Sequence, residues 1–163
     1  MTLSAFDPLR ALRALVDHDV EFVVIGGIAG RLLGSPTVTN DLDICYARSE
    51  ENHHRLVKAL VALHARLRGV EDDVPFRLDA RTIASGDSFT FLTDAGSLDI
   101  LGTPSGTEGF GDLIRTATDT DLDGLTIKLC DIEDLLRMKR AAGRPKDLIE
   151  AEVLTAVRDE RAN

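Results

Sequence analysis

The sequence contains no apolar run approaching the roughly 18 residues that a membrane-spanning helix needs, so a helical membrane protein is excluded. No basic stretch followed by an apolar one opens the chain at Met1. We therefore expect no secretory leader and a cytoplasmic location. Only two residues are cysteine. Cys45 and Cys130 both lie in apolar, strand-like runs, which marks them as reduced core thiols rather than a disulfide framework. No spacing of Cys and His fits zinc. Internal repeats, low-complexity stretches and Pro/Ser-rich linkers are absent as well. We thus expect a single domain over residues 1–163, against a prior of roughly 150 residues per domain. Cations are in the minority: 19 Lys and Arg face 28 Asp and Glu, a net charge of −9. Such a chain is a poor general binder of nucleic acid, and would handle RNA or nucleotides only through a local basic patch or metal ions.

What is present is ordinary globular material, 44% apolar and 29% charged, enough to build a core without staples and to exclude disorder as the main state. Asp7-Pro8 reads as an N-cap followed by proline at the first helical position, and Leu9, Leu12, Leu15 and Val16 repeat at helical spacing. Residues 21–25 are a β-branched strand ending at Gly26-Gly27. A short helix over 28–33 stops at Gly34-Ser35-Pro36. A second strand covers 41–46. A helix over 49–67 carries the stripe Leu56, Leu60, Leu63 and Leu67, and an acidic loop covers 69–75. Strands at 88–92 and 97–101 flank the turn Asp94-Ala95-Gly96. A short helix near 108–116 and a hairpin of 118–121 with 125–129 around Asp123-Gly124 follow. Helices at 132–142 and 145–157 close the chain. This order predicts an α+β fold: a mixed sheet of five or six strands, helices packed mainly on one face, and two C-terminal helices.

The chemistry concentrates at Gly26-Gly27 and Asp41-Leu42-Asp43. Strand alternation makes Asp41 and Asp43 point the same way, with Cα atoms about 6.6 Å apart, while Leu42 and Ile44 enter the core. Two carboxylates side by side repel each other and attract a divalent cation. Asp99, between Leu98 and Ile100, repeats the pattern. If its strand lies beside the first, three carboxylates converge as ligands for two Mg²⁺ ions of a phosphoryl or nucleotidyl transfer. Alternation also makes any surface strand polar at every second residue, and Gly-Gly also makes tight turns. The combination is what carries weight, because a glycine turn before a helix leaves backbone N–H groups open to a triphosphate.

Gly26-Gly27, a thirteen-residue gap, Asp41-Leu42-Asp43 and Asp99 together resemble the signature of the polymerase-β-type nucleotidyltransferase superfamily. The resemblance implies that the glycines and the Asp pair hold metal and triphosphate, with Asp41, Asp43 and Asp99 as metal ligands and Asp99 able to help activate the attacking hydroxyl. The segment 137–147, Arg-Met-Lys-Arg-Ala-Ala-Gly-Arg-Pro-Lys-Asp, is similar to the basic motif of the AbiEii/MenT group of nucleotidyltransferase toxins. There a helix lysine and a following aspartate are required, which points to Lys139 and Asp147, with Arg144 and Lys146 in the same segment. The likeness spans roughly residues 20 to 157. The extra helical domain of the larger members has no counterpart in it.

Read from its residues alone, this segment puts five cations in ten residues of an acidic chain. Such charge would offset that developing on a leaving pyrophosphate. It equally suits the C-terminal end of a helix dipole, with Glu133–Arg137 as an i,i+4 pair and Asp147 as a cap. Thr37 and Thr39 precede the Asp pair and either touch phosphate or simply edge the strand. Arg31 faces phosphate or solvent. His53 and His54 leave their helix about 100° apart and do not serve one site. The loop 102–106 follows the Asp99 strand and borders the site.

The reading that results is an Mg²⁺-dependent nucleotidyltransferase, with Mn²⁺ as an alternative ion, that releases pyrophosphate. Asp41, Asp43, Asp99 and Lys139 are its catalytic candidates. Gly26, Gly27, Thr39, Lys139, Arg144, Lys146 and Asp147 are its candidate nucleotide contacts. Resemblance to the toxins implies a tRNA 3′ end or other RNA as acceptor and a cognate antitoxin as partner. The alternatives are the same chemistry on an antibiotic hydroxyl, which the acidic charge favours for cationic acceptors, and a non-catalytic binding subunit.

Overall fold

The computed structural model describes residues 5–70 and 75–163. Residues 71–74 of the acidic loop expected at 69–75 lie outside the described residues. The elements run α1 (Pro8–Asp17), β1 (Phe22–Ile25), α2 (Gly26–Leu33), β2 (Asp41–Tyr46), α3 (Glu50–Ala62), β3 (Arg66–Leu67), α4 (Ala80–Ser85), β4 (Ser88–Thr93), β5 (Gly96–Leu101), α5 (Phe110–Leu113), β6 (Thr118–Leu122), β7 (Leu125–Leu129), α6 (Ile132–Ala142) and α7 (Pro145–Arg161). The fold is α+β, as expected, around one mixed sheet of order β3-β4-β5-β2-β1-β7-β6. The sheet has seven strands rather than five or six.

Local chemistry sets most boundaries. Asp7 caps α1 by accepting from the Arg10 amide, with Pro8 at the first helical position. Ser49 and Asp131 cap α3 and α6 in the same way. Asp123 and Gly124 both take positive φ (51° and 84°) in the two-residue turn between β6 and β7, the backbone that matches hairpin twist.

The main departure lies after α3. The leucine stripe predicts helix through Leu67, but α3 stops at Ala62 and His64 adopts a left-handed φ of 53°. The amides of His64 and Ala65 bond back to Val61 and Leu60, closing the helix end, and Asp94 receives the His64 ring at 2.5 Å. The chain reverses, and Arg66–Leu67 pairs antiparallel with β4 as a new edge strand. Leu67 keeps the helical spacing of the stripe yet packs on the core from a strand. Helix α4 was likewise not expected; Asp79 caps it through the Thr82 amide.

The central strands carry the core. All four residues of β1 are buried, and Leu42, Ile44, Leu98 and Ile100 are fully so. Cys45 and Cys130 are free buried thiols, each pushed up to about 12 chiefly by burial. No described helix is long and apolar enough to cross a membrane.

Candidate active site

The sheet register brings the carboxylates together. β2 pairs antiparallel with β1, placing Asp43 opposite Ile25, and parallel with β5, placing Asp43 beside Asp99 and Asp41 beside Ser97. Adjacent strands lie about 4.8 Å apart. Asp41, Asp43 and Asp99 therefore share one end and one face of the sheet, while Leu42, Leu98 and Ile100 between them are buried in the core.

The turn from β1 into α2 closes against this face. Ile25 is extended and Gly26 takes φ +69°; no side chain among the described residues caps the helix, so its first amides are left open. A Cβ on Gly26 would lie 2.0 Å from Asp43 Oδ2. Glycine is thus required for the carboxyl to sit on the turn. Gly27 serves a different neighbour, since its Cβ would meet Thr39 Oγ1 at 2.6 Å. Thr39 also exchanges hydrogen bonds with the Asp41 backbone (3.3 and 3.4 Å), bracing the entry to β2.

Asp43, Asp99, Gly26, Pro104, Ser105, Lys139, Arg144 and Asp147 line an open cleft of about 400 Å³. Asp41, Gly27, Thr39 and Lys146 are not part of its lining: Asp41 sits half-buried at the start of β2 beside it, and Thr39 and Arg31 border an apolar hollow of about 390 Å³ between α1 and α2. The Arg31 guanidinium is bonded to the Pro36 carbonyl (3.0 Å). His53 is buried against Tyr46 while His54 is exposed, so the histidine pair forms no site.

On the far wall, Asp147 is 1% exposed and holds two cations. Arg144 donates to it from Nε (2.6 Å), Nη2 (3.2 Å) and its own amide (3.2 Å), and Lys139 Nζ lies 3.7 Å away. Burial acts to raise the Asp147 carboxyl, but Arg144 and Lys139 more than offset it, leaving it below the usual range. Asp147 therefore locks the start of α7 and aims Lys139 and Arg144 at the cleft. Arg137 points elsewhere. It binds Asp112 and Asp134 (3.0 Å each) and donates to the Gly106 carbonyl (3.0 Å), tying down the loop that carries Pro104 and Ser105. The expected Glu133–Arg137 pair gives way to Glu133–Arg158 (3.2 Å).

The carboxylate cluster is electrostatically loaded. Burial first, then Asp99 and Asp41, push Asp43 up to about 7, with Lys139 opposing. Asp99 is raised by burial against the pull of Arg68. Arg68 was not anticipated, because it follows the segment read as helix. Its Nη1 lies 3.4 Å from Asp41 Oδ1 and its Nη2 3.1 Å from Asp99 Oδ1. That last contact lacks hydrogen-bond alignment, so Asp99 Oδ1 is a buried oxygen without a donor. Among the described residues no group of three or more His, Cys, Asp or Glu side chains is placed as it stands to hold a metal ion. The residues nevertheless fit a divalent cation: the donors are all oxygens, one is orphaned, and the cluster needs positive charge to ionise fully.

The mixed sheet with its flanking helices, on which this cleft is built, is a nucleotidyltransferase-like fold. The lincosamide antibiotic adenylyltransferase LnuA, bound to lincomycin, shares it with a TM-score of 0.61 at 13% identity, over 92% of this chain and 95% of that one. A Thermotoga maritima protein described as a nucleotidyltransferase aligns with a TM-score of 0.53 at 19% identity, over 96% of this chain and 97% of that one. The antibiotic-resistance factor ANT(2'')-Ia, in complex with adenylyl-2''-tobramycin, aligns at 0.54 and 14% identity, over 95% and 92%. None of these three is described as a toxin. No family model matches the chain. No curated protein sequence matches it either.

Proposed function

We propose that this protein is a metal-dependent nucleotidyltransferase acting on a hydroxyl of a small molecule. The observation that carries the reaction class is the convergence of Asp41, Asp43 and Asp99 across β2 and β5, facing the Gly26 turn and the Lys139–Asp147 wall. Asp41, Asp43 and Asp99 would hold Mg²⁺ or Mn²⁺, which supplies charge neutralisation and orientation for the triphosphate. The open amides at the start of α2 and the Lys139 ammonium bind phosphate oxygens, and Arg144 extends the positive wall. The acceptor oxygen attacks the α-phosphorus, and the bond to the β-phosphate oxygen breaks. Pyrophosphate leaves, and the hydroxyl proton passes to Asp99 on the cleft floor.

Two observations favour a small acceptor over RNA. Four of the five cations of the basic segment are held by contacts within the chain, Arg137 on Asp112 and Asp134, Arg140 on Thr155, and Lys139 and Arg144 on Asp147 at the cleft wall, and the fifth, Lys146, is exposed. The segment does not present the continuous basic surface that an acidic chain would need for tRNA. The proteins named above with antibiotic substrates match nearly this whole chain at comparable length.

Label transfer tests the reading. The protein is incubated with Mg²⁺, each α-³²P ribonucleoside triphosphate in turn, and either a panel of aminoglycosides and lincosamides or total tRNA, with Asp41→Ala in parallel. We expect label on a small acceptor from the wild type only. Label on tRNA alone would replace the acceptor with RNA and restore the toxin reading. Label on nothing would return weight to a binding subunit.

A further inference from the structure

The carboxylate cluster already holds a cation, and it comes from the chain. Arg68, directly after edge strand β3, sits two strands from Asp99 on β5 and three from Asp41 on β2. Its amide donates to the Thr90 carbonyl (2.9 Å) on β4, and Thr90 is the register partner of Asp99 on β5. From that edge the guanidinium crosses β4 and spans Asp99 and Asp41 with its two terminal nitrogens. The contacts of 3.1 to 3.4 Å are long for a charge-assisted fork, which closes to about 2.7–2.9 Å when tight. The Arg68 side chain is 35% exposed and Asp41 44%, so the pair opens to solvent without disturbing the core. A guanidinium keeps its charge at any working pH, and it matches phosphate as well as carboxylate.

We propose that Arg68 is a resident counter-cation that a divalent metal must displace, and that on displacement it turns to the triphosphate. A metal entering alone meets a site already part-neutralised. A metal arriving with a nucleotide brings anionic oxygens that re-pair the released guanidinium. Arg68 thereby couples the two binding events: it weakens metal binding in the absence of nucleotide and strengthens nucleotide binding in the presence of metal. This rests on the reading of Asp41 and Asp99 as metal ligands given above.

Mn²⁺ binding measured by electron paramagnetic resonance tests this without turnover, on wild type, Arg68→Gln, Arg68→Lys and Asp41→Asn, each checked for a wild-type circular dichroism spectrum. With Mn²⁺ alone, Arg68→Gln should bind about tenfold tighter than wild type, a magnitude set by one screened, part-exposed unit charge. Lysine should fall between them, because it keeps the charge and loses the fork. With saturating Mn²⁺, calorimetry with each of the four α,β-methylene ribonucleoside triphosphates should show about tenfold weaker binding to Arg68→Gln. Equal or weaker Mn²⁺ binding by Arg68→Gln, with binding still lost in Asp41→Asn, overturns the competition and leaves the metal site standing. Unchanged nucleotide affinity overturns the turn to phosphate. Mn²⁺ binding by none of the variants overturns the metal site as well.

Discussion

Single residues at this site are constrained by what touches them more than by their own propensities. Gly26 combines a left-handed backbone with an approach to Asp43 that no side chain tolerates. Gly26→Ala should therefore cost at least about 1–2 kcal/mol from backbone strain alone and also push the Asp43 carboxyl off its seat. We expect a lower melting temperature together with loss of label transfer. Asp43 behaves in the opposite sense. It is a mostly buried carboxyl among carboxyls, raised to about 7 by that setting. Asp43→Asn removes the repulsion while keeping the shape. The variant should melt higher in metal-free buffer, by roughly 2–4 °C for about 1 kcal/mol in a chain of this size, while transferring no label. A fall in melting temperature would show that Asp43 contributes more as a hydrogen-bonding group than it costs as a charge.

Among the elements, the loop between β5 and α5 is positioned by ion pairs at both ends. Asp87 accepts from the Thr103 amide (3.2 Å) and hydroxyl (3.0 Å) and pairs with Arg48 (2.6 Å). Arg137 ties Gly106 to Asp112. Hydrogen bonding from Arg137, then from the Glu108 amide, holds the Asp112 carboxyl down to about 2, against an ordinary 3.8. A depressed carboxyl binds its proton less readily folded than unfolded, so its stabilising effect is full above about pH 4 and is lost as pH falls toward 2. Acid titration of the melting temperature should show a steeper decline over that window in the wild type than in Asp112→Asn. The α6–α7 corner makes a parallel case. Asp147→Asn leaves Lys139 and Arg144 without their buried counter-charge, and should destabilise the fold by about 3 kcal/mol while raising the nucleotide KM.

At the scale of the molecule, a net charge of −9 surrounds a cleft whose floor is acidic and whose far wall is basic. That field draws a cationic acceptor toward the acidic side. Raising salt from 50 to 500 mM should raise the KM of an aminoglycoside acceptor several-fold and leave that of a neutral acceptor nearly unchanged. Much of the architecture was legible in advance because it is written locally. The alternation of Asp41, Asp43 and Asp99 with apolar neighbours, the cap at Asp7, and the turn at Asp123-Gly124 each depend on residues a few positions apart. Such signals determine which segments are strands, which faces are polar and where most helices begin. They do not determine which strands become neighbours. The parallel pairing of β5 with β2, the edge strand at Arg66–Leu67 and the reach of Arg68 over the sheet to Asp99 and Asp41 join residues about 25 to 55 positions apart. Contacts of that kind are settled only when the whole sheet assembles and loop-closure entropy is set against shared burial, so the tertiary structure alone decided them.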